Sequence, residues 1–253
     1  MRDPGSGWIQ LSVVELYLLW SAMGLGPVPE VLDVLHVGRT RDRRAELVEE
    51  ASRALTARDL GTVETPARDL AAMLRSLGSP SASLDMRVYG TGSPLFAFAA
   101  VGGPGAAIAA RVGDEVRLGA VRATALASSL LGSLTQLPAA AGRPVNVSAA
   151  DYEAACAEGA EEGVSGFTRT LHAAGVRAEE VSTLTQALTS RTGGGQLGAT
   201  GRTRTYSLVN WLDTPEGRYA LRRNGAWVTL TPADTTRLTA MAEEMLTSPP
   251  PRH

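Results

Sequence analysis

The chain contains no lysine, and all 24 of its basic residues are arginine. P-loop NTPases set a lysine against the nucleotide phosphates and protein kinases carry one on a strand beside them. Both classes are therefore excluded in their usual form. Schiff-base catalysis and the Ser-x-x-Lys hydrolases are excluded for the same reason. Cysteine is nearly absent as well. The single thiol, Cys156, permits no intrachain disulfide and no zinc ribbon, and points to a reducing compartment. Histidine occurs at three positions, His36, His172 and His253, with no HExxH frame or paired ligand spacing, so no metal site is expected. The charge balance of 24 basic against 26 acidic residues lacks the positive excess of a nucleic-acid binder. The most apolar early stretch, Leu11 to Leu25, carries Glu15 and ends in a Gly/Pro loop. It also lacks the basic start and cleavage site of a signal peptide. No stable membrane insertion is expected, and residence in the cytoplasm is.

What is present suits a folded domain: 253 residues, 44% of them hydrophobic. Trp8 to Leu11 reads as a short strand. Ser12 to Glu15 has the spacing of a capping box, and a helix follows to about Met23, stopped by Gly24 and Gly26. Helical periodicity returns over Asp42 to Arg58 and over Pro66 to Leu77. The pattern then becomes extended: Ser83 to Gly90, Pro94 to Val101, Ala106 to Val112 and Glu115 to Val121 read as strands, with Gly90 to Ser93 a tight turn between the first two. Thr124 to Leu134 is helical, and Pro138 to Pro144 is a small-residue linker.

The second half restarts in the same order. Val145 to Val147 is a strand, Ser148 to Asp151 a cap, and a helix runs to about Ala157. Glu161 to Ala174 and Ala178 to Ser190 are helices. Strands follow over Gly193 to Gly201, Thr203 to Leu212, Gly217 to Arg223 and Ala226 to Leu230, and a last capped helix reaches about Leu246. Ser248 to His253 reads as a disordered Pro-rich tail. Ser12 aligns with Ser148 and Val116 with Val228, so the first half carries about 24 more residues between these anchors, naturally placed in the Gly24 to Arg44 loop. The expected class is α+β: a quasi-two-fold duplicated unit with a central antiparallel sheet flanked by helical bundles. The whole chain, 1–253, is expected to form one domain of two pseudo-repeats, 8–137 and 145–247.

Candidate chemistry is sparse. Gly193 to Gly198 matches G-x-G-x-x-G, and a small-ligand-binding or hydrolytic enzyme using that loop is the alternative reading of the chain. However, a helix precedes it and a strand follows, the reverse of the order that holds a pyrophosphate. Gly163 to Gly166 resembles a nucleophile elbow, with Phe167 where the last Gly is needed. The acidic pairs Glu49-Glu50, Glu161-Glu162, Glu179-Glu180 and Glu243-Glu244 lie on helices, where adjacent residues do not face each other. Cys156 reads as a small core residue, and Trp20, Trp211 and Trp227 fall on the apolar sides of their elements and read as core. Arg202 and Arg204, with Arg222 and Arg223, mark basic strand ends suited to edge protection or a protein contact. No catalytic, cofactor or metal residue is assigned.

Several segments carry more information together than singly. These are LSVVELYLLWSAMGLGPVPEVLDV, RTRDRRAELVEEASRALTARDLG, GGGQLGA and, most specifically, DTPEGRYALRRNGAWVTLTPAD from Asp213 to Asp234. In this order the chain resembles the EspG family of ESX (type VII) secretion-associated proteins over about residues 8 to 246. The resemblance implies a cytosolic, non-enzymatic chaperone without cofactors. Such a protein binds a PE–PPE heterodimer at the tip of the PPE helical bundle, or another helical ESX substrate, and masks its apolar end until export. It further implies a contact surface made of the loop at Gly90, Thr91, Gly92 and Ser93 together with the C-terminal bundle, where Phe167, Leu171, Val176, Leu184 and Leu188 are the apolar candidates. The same bundle positions also suit a core. A homodimer in the absence of substrate is a further expectation, and a structural subunit that dimerises through its sheet edge is a separate alternative reading.

Overall fold

The computed structural model describes residues 7–201 and 206–247. The expected tail Ser248 to His253, the start of the strand expected from Thr203, and Arg202 and Arg204 lie outside the described residues.

The first half runs β1 (Ile9–Ser12), α1 (Val13–Ala22), a 3-10 turn (Glu30–Leu32), α2 (Arg41–Thr56), α3 (Arg68–Gly78), β2 (Pro80–Tyr89), β3 (Leu95–Gly102), β4 (Gly105–Val112), β5 (Glu115–Val121) and α4 (Leu126–Leu131). The second runs β6 (Val145–Ser148), α5 (Ala149–Ala173), α6 (Ala178–Thr189), β7 (Gly193–Thr200), β8 (Tyr206–Thr214), β9 (Gly217–Asn224), β10 (Trp227–Pro232) and α7 (Thr235–Thr247).

The 10 strands form one sheet in the order β1-β5-β4-β3-β2-β7-β8-β9-β10-β6. Every neighbouring pair is antiparallel. The order reads the same from either edge, with β1 to β5 answering β6 to β10. The seam between the halves is the β2–β7 pair, where Met86 lies opposite Leu197 and Arg87 opposite Gln196. The sequence anchors agree with this layout: Leu11 pairs with Val116 in one half, and Val147 with Val228 in the other.

Local chemistry explains where the helices begin. The Ser12 hydroxyl accepts the Glu15 amide at 3.1 Å, and the Ser12 amide donates to the Glu15 carboxylate at 2.8 Å, the expected capping box. The Glu15 carboxylate also pairs with Arg58 and so ties α1 to the end of α2. Ser148 accepts the Asp151 amide at 3.1 Å in the corresponding place. Alternation along the strands then separates two faces. On one face, α1 to α3 pack on Phe98, Ala100, Ala107, Ala109 and Val116, while α5 and α6 pack on Leu212, Tyr219 and Leu230. On the other face, α4 and α7 share a cluster with Leu84 and Met86 of β2 and Leu197 and Ala199 of β7, so one core spans the seam.

Three expectations are corrected. The helix expected to end near Ala157 continues through α5, and the break falls at Gly163 (φ 67, ψ −152), where a left-handed backbone bends the chain without ending it. Trp227 is 55% exposed rather than core. Val228 and Leu230 take the inward side of β10, and alternation turns Trp227 to the opposite face, where α7 packs on α4 and, among the strands, mainly on β7. Cys156 is exposed on α5, one residue past the buried Ala155.

Candidate functional site

Gly90, Thr91, Gly92 and Ser93 form the exposed turn between β2 and β3. The bundle candidates divide. Phe167, Leu171 and Leu184 are buried with Val145, Val147 and Leu212, and Tyr152 meets the Phe167 ring edge-on at 6.3 Å. These three side chains are part of that core in the free chain. Val176 and Leu188 are only partly buried. Of the expected surface, Gly90 and Leu188 come together in the wall of one cavity of about 720 Å³.

The floor of that cavity is a polar row across three strands. Arg87 of β2 lies opposite Gln196 of β7, which lies opposite Asn210 of β8. The Arg87 guanidinium donates to Gln196 Oε1 at 3.4 Å, and Gln196 Nε2 donates to Asn210 Oδ1 at 3.3 Å. Tyr152 of α5, Leu188 of α6 and Arg191 stand around it. Tyr89, 53% exposed, forms the rim and packs edge-on against Phe96 at 6.4 Å. A second cavity of about 530 Å³ lies on the first-half side, with Trp20, Leu77, Asp85 and Phe98 in its lining. Arg87 lines both cavities, so the two adjoin at the β2–β7 seam as the two arms of a cleft between the helical bundles.

The cleft is asymmetric because the halves differ in length. In the first half, the extra segment folds its 3-10 turn down on β3 and β4, and Arg111 fastens it by donating to Leu32 O at 2.9 Å. Phe98 is sealed beneath. The second half passes the matching place with only the bend at Gly163, so Gln196 and Asn210 stay open to the cavity. A non-local omission of this kind leaves no local signal in the residues it exposes.

Gly193 to Gly198 is not a loop. It is β7, paired on both sides, with β2 and with β8, so its amides are not gathered for an anion. A Cβ at Gly195 would strike the Trp211 ring and the Arg87 carbonyl, and one at Gly194 would strike the Trp211 carbonyl. The glycines answer close packing, and the enzyme reading that rested on a phosphate-holding loop loses its geometric basis.

The DTPEGRY segment is likewise structural. Arg218 is fully buried, and its three guanidinium nitrogens are all taken. Nε pairs with Asp213 Oδ1 at 2.6 Å, while Nη1 and Nη2 donate to Thr235 Oγ1 at 3.2 Å and Thr135 O at 3.1 Å. Its backbone accepts from Ala140 at 3.0 Å and donates to Pro138 at 2.9 Å, and Tyr219 Oη donates to Ala141 O at 3.1 Å. The linker between the halves is clipped to β9 and α7 by this segment. Composition gave no hint of it; the dense motif was the available signal.

Other groups have quiet surroundings. Tyr17 and His36 share a hydrogen bond of 2.7 Å that holds the long first-half loop. Burial pushes the Tyr152 phenol far above its ordinary value, and burial also raises the Cys156 thiol beside it. Among the described residues, no group of three or more His, Cys, Asp or Glu is placed to hold a metal, and no helix is long and apolar enough to cross a membrane.

Fold and cleft together define a class: a quasi-two-fold α+β protein whose single antiparallel sheet carries two helical bundles with a cleft between them. A model of the EspG family matches residues 12–244, and the chain belongs to that family. Among solved structures, it is similar to the Mycobacterium tuberculosis type VII secretion system chaperone EspG5, solved in complex with a PE25–PPE41 dimer. The TM-score is 0.74 at 18% identity, over 94% of this chain and 96% of that one. No curated protein matches the chain.

Proposed function

We propose that this chain is a cytoplasmic, non-enzymatic chaperone of a type VII secretion system. It binds a PE–PPE-type helical heterodimer at the end of the PPE subunit, keeps it soluble and delivers it for export. The observation that carries this reading is the family match over residues 12–244. The similar EspG5 fold held a PE25–PPE41 dimer, which supports the same substrate class here. Helical partners of another ESX type are the nearest variant of this reading, and a homodimer is the form proposed when substrate is absent.

The contact surface proposed is the interbundle cleft with the Gly90, Thr91, Gly92 and Ser93 turn at its rim. A concave, mixed surface of this size suits the end of a helical bundle, whose apolar side chains need cover from water. Leu188 and Val176 would touch the partner, while Phe167, Leu171 and Leu184 hold α5 and α6 in place from inside. Residues 8–137 and 145–247 act as two halves of a single domain, a reading supported by the core that crosses the β2–β7 seam.

The test is a pull-down of the tagged protein from its own cytosol, with mass spectrometry of what co-elutes. A stoichiometric PE–PPE-like heterodimer is expected. Its absence from cells shown to express such substrates would overturn the reading.

A further inference from the structure

The arginines of the sheet are not treated alike. Arg218 has every guanidinium nitrogen engaged. Arg111 donates from Nε to Gly113 O at 2.8 Å and from Nη1 to Leu32 O at 2.9 Å, and also pairs with Asp33 at 3.2 Å. Arg87 is half-buried at the centre of the cleft, yet it makes one long bond of 3.4 Å to a neutral amide. A guanidinium offers five N–H donors in a planar fork, so most of its capacity is unfilled. Arg191, exposed on the wall of the same cavity, brings a second positive charge. Among the described residues, no ion pair includes either of them.

Among the described residues, no Asp or Glu lines the cavity on the β7–β8 side. The acids of the cleft lie on its other arm, where Asp85 shares the face of β2 with Arg87 two residues away. Asp213 is bound to Arg218, and Glu30 and Asp85 line the other arm of the cleft. On the β7–β8 side, two cations that join no ion pair among the described residues stand over a polar floor with no described acid in the wall, an arm of the cleft complementary to negative charge. A half-buried guanidinium is costly to leave unpaired, and a carboxylate arriving in its plane forms two parallel charge-assisted bonds.

We infer that the cleft floor holds an acid-reading subsite. Arg87, assisted by Arg191, receives an Asp or Glu side chain presented at the helical end of the partner. This rests on the reading above that a helical protein docks in the cleft, and adds to it a rule of choice. Apolar contact makes binding strong, and one carboxylate at a set place on the tip decides which helical ends are accepted.

The test uses the heterodimer recovered with the wild-type chain. Its affinity is measured by calorimetry for wild type, Arg87→Ala, Arg87→Lys and Arg191→Glu, at about 50 mM and about 500 mM NaCl. Arg87→Ala is expected to weaken binding about tenfold or more and to flatten the salt dependence. Arg87→Lys should restore only part, because it keeps the charge but not the fork. Replacing the acidic residues of the partner's tip by their amides, one at a time, should reveal one whose loss matches that of Arg87→Ala and does not add to it. Arg87 has little to lose in the free chain, so its variants should melt with the wild type. If they do not fold, the exposed Arg191→Glu reads the same charge. Affinity within about twofold of wild type for Arg87→Ala and Arg191→Glu would overturn the subsite and leave the chaperone reading standing. Recovery of no heterodimer by the wild-type chain would overturn both.

Discussion

Arg218 is the residue on which the junction of the two halves depends. Its side chain is fully buried, charged and bonded to β8, α7 and the linker at once. Removing it leaves Asp213 without its cation and Thr135 O without its donor. Arg218→Ala should therefore cost about 3–5 kcal/mol in urea unfolding. Gly195→Ala should cost about 1–3 kcal/mol, because the new methyl meets the Trp211 ring and the Arg87 carbonyl across a central strand. A thermal melt should record that loss, and ATP and NAD should show no binding to wild type that the variant could lose. These two positions show what single residues disclose and what they hide. The glycines suggested a phosphate loop when read as a local motif, and their true constraint is a neighbour 16 residues away, Trp211, that only the pairing brings near. Cys156 and Trp227 misled in the opposite sense. Both sit beside buried residues, Cys156 after Ala155 and Trp227 before Val228, and take the other side of their elements.

Elements were far more legible. Ser12 and Ser148 announced two helices because capping is a contact between residues three apart. The extended pattern and its turns likewise located β2 to β5 and β7 to β10, with strand ends that differ by as much as from Ser83 to Pro80 at the start of β2. The exception is α5, whose bend at Gly163 hid the continuity of its two segments. That helix also carries the clearest response to pH. Burial of the Tyr152 phenol, and partial desolvation of the largely exposed Cys156 thiol beside it, hold their protons more tightly in the folded chain than in the unfolded one. As pH rises through the ordinary thiol and phenol range, about 8.5 to 10, the unfolded chain ionises first. The contribution of these groups is therefore complete below that range and is lost above it. Stability measured by urea unfolding should decline from about pH 8.5 upward, and Tyr152→Phe should make the decline shallower.

At the scale of the molecule, the duplicated plan was readable from the repeated order of elements. The joining of the two meanders into one sheet followed from it, since β2 and β7 hold the same place in each half. The cleft was not readable. It exists because one half folds an extra turn onto its sheet and the other does not, a difference seen only once the halves are set side by side. Of the expected contact residues, Gly90 and Leu188 line this cleft, whereas Phe167, Leu171 and Leu184 are buried in the core. Leu188→Glu should thus lower affinity for the recovered heterodimer about tenfold, since it places a buried charge against the partner. It should shift the melting temperature little, because Leu188 is only partly covered in the free chain.

Photo-crosslinking in living cells tests the central claim most directly. A benzophenone amino acid is placed singly at Ser93, at Leu188 and at Arg117, the last on β5 away from the cleft. The account predicts that Ser93 and Leu188 each trap the PPE-type subunit of a heterodimer and that Arg117 traps none. Crosslinks to such a subunit from Arg117 but not from Ser93 or Leu188, or from none of the three positions in cells expressing the substrates, would contradict it.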